Sequence, residues 1–157
     1  MSGYIFDTNI FNRILDGQFD LNSISGEVKL FATHIELDEI RNTRNCERRS
    51  QLLSVFEAID SKKIPTESAV WDVSNWDEAK WTVDDNLYEP IVKALDAKNG
   101  GKGNNVQDAL IAETAIRNNL TLVTEDGDLA IIARGNGGNV IDFVKGMKLI
   151  GAKQANN

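Results

Sequence analysis

The sequence predicts an α/β fold, a three-layer α/β/α sandwich around a central, mainly parallel sheet of about five strands. Three observations carry this reading. Short apolar runs of strand length alternate with helical segments, the pattern of a parallel sheet covered on both faces. Several strand-like runs end in a carboxylate or lead into a helix that begins with one, which would gather distant acidic residues at one end of the sheet. The chain has 157 residues, 41% hydrophobic and 26% charged, enough for one domain with a single core and short for two.

Gly3 to Phe6 reads as the first strand, and a helix starts over Asn9 to Leu15. Val28 to Thr33 reads as a second strand. From His34 to Asp60 the pattern is helical with a break near Asn42 to Asn45, and Leu52, Leu53, Phe56 and Ile59 form an apolar stripe on its later half. A third short strand is expected near Ile64. Three tryptophans, Trp71, Trp76 and Trp81, follow at intervals of five, and then a helix from about Asn86 to Lys98.

The segment Asn99 to Asn105, NGGKGNN, is the strongest loop signal in the chain. A helix from Val106 to Asn118 is apolar enough to pack on a sheet, and Leu120 to Thr124 is the best buried strand. Leu129 to Ala133 fits a short helix, the loop Gly135 to Asn139 follows, and Val140 to Val144 closes the sheet. One domain is expected over residues 1–150, with a frayed end at 151–157. In open sheets of this kind ligands bind outside the carboxyl ends of the strands, where Asp7 and Asp126 directly follow theirs.

Composition narrows the chemistry. The longest wholly apolar run is the five residues Leu129 to Ala133, far below the roughly 20 of a membrane span. No basic-then-apolar leader opens the chain, so a cytoplasmic protein without membrane attachment is expected. Cys46 is the single cysteine and His34 the single histidine, which excludes an internal disulfide and a thiol-rich or imidazole-rich zinc site. A bound metal must then be held by oxygen.

The formal charge of −7 gives no support of its own for a polyanionic ligand. Its distribution matters more. Glu67 to Glu89 holds seven acids against Lys80 alone, a net of −6, which leaves −1 for all other residues. Four candidate metal ligands account for more than that remainder, so a locally basic surface is compatible with an acidic whole.

Those candidates are Asp7 in YIFDTN, Glu39 in THIELDEI, Asp108 in NNVQDALIAETA and Asp126 in LVTEDGD. Four converging carboxylates repel, and either one takes up a proton or a cation neutralises them. Mg²⁺ and Mn²⁺ suit oxygen ligands. A pair of such ions about 4 Å apart stabilises the attacking and leaving oxygens of a phosphodiester displacement, with no Ser, His or Cys nucleophile needed.

These residues resemble the PIN-domain nucleases over nearly the whole chain. The opening signature of that family appears as Tyr4-Ile5-Phe6-Asp7-Thr8-Asn9, and its helical glutamate as Leu37-Asp38-Glu39-Ile40. Its later helix appears as Asp108-Ala109-Leu110-Ile111-Ala112. Its closing motif appears as Val123-Thr124-Glu125-Asp126, followed by the often acidic position Asp128. The resemblance implies a helix-sandwiched parallel sheet and Mg²⁺- or Mn²⁺-dependent endonuclease activity, most often on RNA, in single-stranded or loop regions. It also implies a VapC-type toxin with an antitoxin partner and a homodimer. The acidic tryptophan segment 67–89 and the negative charge depart from the small-toxin pattern.

Each position also has a plainer structural role. Asp7 and Asp108 suit helix starts, where a negative charge is favourable. Thr8, Asn9 and Thr124 are expected to orient the carboxylates by hydrogen bonds. Glu36 and Glu39 are three residues apart and share a helical face, so either could be the ligand, with Glu39 preferred. Asp128 is a ligand or a solvated turn residue, and Glu113, about 140° around the helix from Asp108, is structural. Arg41, Arg44 and Arg48, with Arg49 beyond, line one helical face if that helix is continuous. They form a salt-bridged surface with Glu47 or a phosphate-tracking strip. Lys102 on the glycine-rich rim is available to substrate backbone. The tryptophans fill an apolar cluster, stack bases, or meet a basic partner.

The leading expectation is therefore a metal-dependent endoribonuclease. A phosphate-ester hydrolase of the haloacid dehalogenase type would want an acid two residues after Asp7, where Asn9 stands. A non-catalytic interaction module would act through the acidic tryptophan segment and tolerate loss of the carboxylates.

Overall fold

The computed structural model describes residues 2–59, 62–66 and 87–155. The expectations for Trp71, Trp76 and Trp81 lie outside these residues. In chain order the elements are β1 (Gly3–Phe6), α1 (Thr8–Asp16), β2 (Phe19–Asp20), a 3-10 turn (Leu21–Ser23), β3 (Lys29–Ala32), α2 (His34–Arg41), α3 (Cys46–Ala58) and β4 (Lys62–Lys63). They continue with α4 (Tyr88–Asn99), α5 (Asn105–Arg117), β5 (Thr121–Val123), α6 (Gly127–Gly135), β6 (Asn139–Ile141), α7 (Phe143–Ile150) and β7 (Lys153–Gln154).

Successive side chains of β1 divide between two apolar cores. Tyr4 and Phe6 face one core and Ile5 the other, as the two-residue period of a strand requires. Leu122 and Val123 of β5, and Val140 and Ile141 of β6, split in the same way. Helices α1, α3 and α7 cover the first face through Ile10, Phe11, Ile14, Leu52, Val55, Phe143 and Met147. Helices α4, α5 and α6 cover the second through Ile91, Leu95, Leu110, Leu129 and Ile132. The result is the expected three-layer sandwich with a sheet buried on both sides.

The five strands run in the order β4-β3-β1-β5-β6, and every neighbouring pair is parallel. From central β1 the chain moves outward through β3 and β4, then crosses to build β5 and β6 on the other side. The direction of winding therefore reverses between β1 and β5, where such sheets open a crevice at their carboxyl ends. On the outer edge, Arg134 Nη2 donates to the Val140 carbonyl at 3.0 Å, which covers an acceptor that would otherwise face outward from β6.

Three local details differ from the sequence expectations. The strand expected over Val140 to Val144 ends at Ile141, and Phe143 begins α7. Asp142 is the reason: its carboxylate accepts from Lys145 N at 2.8 Å and caps the new helix. Gly146 lets that helix lie close on β5, since a Cβ there would stand 2.8 Å from Val123 Cγ1. The tail expected to fray is instead paired from Lys153 to Gln154 with β2, an antiparallel partner about 130 residues earlier. The strand expected near Ile64 forms just before it, at Lys62–Lys63.

Candidate active site

Four separate elements deliver carboxylates to the carboxyl end of the sheet. Asp7 follows β1, Asp126 stands three residues after the end of β5, Glu39 lies on α2 and Asp108 in the first turn of α5. Asp7 is at the N-cap of α1 but makes no side-chain cap into that helix. Its Oδ2 instead accepts from Thr124 Oγ1 at 2.8 Å, a bond that crosses the crevice between β1 and β5. The same Thr124 oxygen accepts from Asp126 N at 3.0 Å, so one hydroxyl ties two of the acidic positions together.

Asp126 caps α6, its Oδ1 accepting from Asp128 N at 2.9 Å and Leu129 N at 3.0 Å. Glu39 accepts from the hydroxyl of Thr8. Asp108 accepts from Asn104 Nδ2 at 3.0 Å. Each of these carboxylates is thus held by a neighbouring group, the support that metal-ligating acids need.

The charges interact. Burial pushes the Asp7 carboxyl up, and Asp126 pushes it further; the Thr124 hydroxyl, the Thr8 backbone N–H and the Asn9 amide oppose the rise. Glu39 is raised by burial and by Asp7, against its bond from Thr8. Asp108 is pushed up to about 8, first by burial and then by Asp7, Glu39 and Asp126, while Lys102 draws it down. Asp7, Glu39 and Asp108 therefore share an electrostatic environment that disfavours their joint ionisation, with the charge of Asp126 acting on Asp7 and Asp108.

The donor set suits a hard divalent cation, because every group is oxygen and the local charge is negative. Asn9 Oδ1 beside Asp7 is buried with no hydrogen-bond partner, a further oxygen of the same kind. Among the described residues, no three acidic, imidazole or thiol side chains stand close enough together to hold a metal ion.

Glu36 and Glu39 separate cleanly. Glu36 is fully buried and completes a capping box with Thr33, its Oε2 accepting from Thr33 N at 2.9 Å and from the Thr33 hydroxyl. Burial, with a smaller push from Asp7, raises it to about 8. Glu39, one turn later, accepts from the Thr8 hydroxyl, and its charge reaches Asp108. Thr8 was expected to serve Asp7; its backbone does, but its hydroxyl serves Glu39.

Other positions fall further from this centre. The Asp128 carboxylate lies 3.9 Å from Lys98 Nζ at the end of α4. The arginine strip does not form as one helical face, because α2 ends at Arg41 and α3 begins at Cys46. Arg48 points back to α1, where it holds Asp16 with two bonds of 2.9 and 3.0 Å and Asn12 with two of 3.1 and 2.7 Å. Arg41 is exposed and lies 3.9 Å from Asp38, and Arg44 is exposed in the break between the helices. Glu113 is buried and bonded to Arg117, as expected of a structural residue.

Two participants were not singled out from sequence. Asn104 touches the Asp108 carboxylate directly. Glu125, the variable position of Thr-x-Asp, accepts from Phe143 N at 2.8 Å and so fixes the Asp126 loop to α7. The i,i+4 spacing of Asn104 and Asp108 at a helix start was a usable signal for the first. Nothing local announces the second.

No protein-family model matches the sequence, and no curated protein matches it significantly. Solved structures do match by shape. VapBC2 from Rickettsia felis, crystallised bound to a DNA fragment from their promoter, is similar at a TM-score of 0.55 and 21% identity, over 89% of this chain and 98% of that one. PAE2754 from Pyrobaculum aerophilum gives 0.53 and 17%, over 95% and 89%. VapBC-1 from nontypeable Haemophilus influenzae gives 0.50 and 15%, over 90% and 98%. The structure thus has the fold of the VapC-type PIN-domain proteins, as the four motifs led us to expect; at these identities the likeness is one of fold.

Proposed function

We propose that this chain is an endoribonuclease that hydrolyses phosphodiester bonds at a Mg²⁺ or Mn²⁺ site held by Asp7, Glu39, Asp108 and Asp126, with Asp128 at its margin. The observation that carries the reading is that Asp7, Glu39, Asp108 and Asp126 come from four parts of the chain to the crevice where the sheet reverses direction, with Asp7 and Asp126 tied through the Thr124 hydroxyl. Helix capping and hydrogen bonds hold these acids singly, but they give no reason for four like charges to gather at one end of a sheet, where their repulsion destabilises the fold. A hard cation gives them one.

The chemistry supplied by such a cation is Lewis-acid polarisation of the scissile phosphate and acidification of the attacking water. The chain's own residues prepare for it. Thr124 and Thr8 orient Asp7 and Glu39, and Asn104 orients Asp108. Lys102 supplies the cationic side chain whose charge reaches Asp108, and Arg41 and Arg44 are exposed beyond α2 for more distant phosphates. Arg48 is withdrawn from that role by its bonds to Asp16 and Asn12.

The toxin half of a toxin–antitoxin pair is the cellular role that fits this activity, with an antitoxin protein as partner and a homodimer as the working form. The neighbours named VapBC support that search. Among the described residues no helix is long and apolar enough to cross a membrane, and the cytoplasm, where RNA substrate lies, is the proposed location.

The test is cleavage of single-stranded RNA, structured RNA and single-stranded DNA by purified protein with Mn²⁺, Mg²⁺ or chelator, beside Asp7→Asn. Metal-dependent RNA cutting that the variant loses supports the reading. Equal behaviour of both proteins throughout overturns it and favours a non-catalytic binding module.

A further inference from the structure

The loop between α4 and α5 is fastened from beneath by a buried amide. Asn105 is 1% exposed. Its Nδ2 donates to Asp96 Oδ1 at 2.6 Å and to Asn99 Oδ1 at 2.8 Å, and its Oδ1 accepts from Asn99 Nδ2 at 2.8 Å. Every hydrogen-bonding position of the side-chain amide that a single clip requires is in use. Asn99 Oδ1 also accepts from Lys102 N at 3.3 Å, and Asn105 N donates to the Lys102 carbonyl at 3.1 Å. Both backbone polar groups of Lys102 are therefore bound to the two asparagines.

Glycine makes this closure possible. Gly100 and Gly101 take φ of 74° and 78°, the left-handed region, and turn the chain sharply after α4. The turn returns the chain to Asn104, whose side chain touches Asp108, and exposes Lys102 within electrostatic reach of the same carboxylate. A glycine-rich loop of this composition would otherwise sample many conformations, and a lysine on it would lose most of its contribution to binding in being ordered.

We infer that Asn105 is a positioning residue for nucleic-acid binding: through its amide pair with Asn99 and its bond to Asp96 it fixes the α4–α5 loop so that Lys102 is presented to a substrate phosphate beside the carboxylate centre. The assignment rests on the nuclease reading above and deepens it. It predicts that Asn105, which is buried and cannot itself touch RNA, governs a salt-dependent contact made by another residue.

The test uses the full chain carrying Asp7→Asn, so that RNA stays intact, and measures affinity for a single-stranded RNA oligonucleotide with Mg²⁺ across a salt series. A lost phosphate contact lowers the slope of log K against log salt by about 0.7 on single strands. Asn105→Ala and Lys102→Ala are each expected to lower the slope by that amount and weaken binding by roughly fivefold, with no further loss in the double variant. Trypsin cleavage after Lys102 should also be faster in Asn105→Ala. The paired exchange of Asn105→Asp with Asp96→Asn restores a donor–acceptor contact and should recover much of the slope, whereas Asn105→Asp alone should not.

An unchanged slope in Asn105→Ala, or losses that add in the double variant, overturns the assignment while metal-dependent cutting by the parent chain keeps the nuclease reading. If the exchange pair fails to recover a slope that Asn105→Ala lost, a general folding defect replaces the assignment. If the parent chain neither cuts nor binds RNA, both fall together.

Discussion

Thr124 donates its hydroxyl hydrogen to Asp7 at 2.8 Å across 117 residues of sequence, and the same oxygen receives the N–H of Asp126. One buried hydroxyl thus spans the two strands between which the sheet reverses. The bond lowers the Asp7 carboxyl against the larger upward push of burial, and so favours the ionised form that a cation requires.

Thr124→Val keeps the shape of that side chain and removes its oxygen. Metal affinity measured by calorimetric Mn²⁺ titration is expected to fall by about tenfold to a hundredfold, as for other groups that orient a metal ligand. Stability should fall by about 1 to 3 kcal/mol, because Asp126 N loses its acceptor in a largely buried position. An unchanged affinity would show that Asp7 needs no such support.

Asp7→Asn separates the cost of the acidic centre from its use. In chelator the variant should melt at the same temperature as the parent or higher, since a buried charge beside Asp126 has been removed. Added Mn²⁺ should stabilise the parent, by about 2.7 kcal/mol at a hundred times the dissociation constant, and should do little for the variant. Equal stabilisation of both proteins by Mn²⁺ would remove Asp7 from the ligand set.

Glu36 gives a pH dependence whose sign is fixed by its burial. Its folded carboxyl is pushed up to about 8 from 4.5, so between those values the native protein binds a proton that the unfolded chain releases. Stability from this group is complete below about pH 4.5 and is lost as pH rises towards 8, by an amount on the order of a few kcal/mol. Urea denaturation in chelator at a series of pH values should show that decline. Glu36→Gln mimics the protonated acid in the Thr33 capping box and should flatten the decline in part. Asp108 contributes slope of the same sign, which the variant keeps.

Arg48 and Lys102 should behave oppositely, although both are cations that the sequence offered for substrate phosphates. Arg48→Ala breaks the tie of α3 to Asp16 and Asn12 on α1 and should leave the KM for RNA within about twofold. Lys102→Ala should raise that KM severalfold with a smaller change in kcat. A reversed pattern would restore Arg48 to the substrate path.

Much of this molecule was legible locally. β1, α1, β3, α5 and β5 form close to where apolar period and turn residues put them, because those signals lie within a few residues of the elements they specify. The helix-start role of Glu36 was also available, since Thr33-His34-Ile35-Glu36 is a capping-box sequence. Asp142 was a usable N-cap signal for α7, but the apolar run Val140 to Val144 reads as a strand through it.

The pairing of Lys153–Gln154 with Phe19–Asp20, the turn of Arg48 back to α1, and the Thr8 bond to Glu39 left no local trace. Local signals were enough for the residue types that could act: oxygen donors for a hard cation, an alternating order of strands and helices, and acids at element boundaries. Which of them come together depends on the order of the strands in the sheet. Sheet order β4-β3-β1-β5-β6 brings β1 against β5, and only that adjacency sets Thr124 on Asp7 and the field of Asp126 on both it and Asp108. Electrostatic coupling and hydrogen bonding fall off within a few ångströms, so they depend on contacts between strands that the order of residues along the chain does not contain.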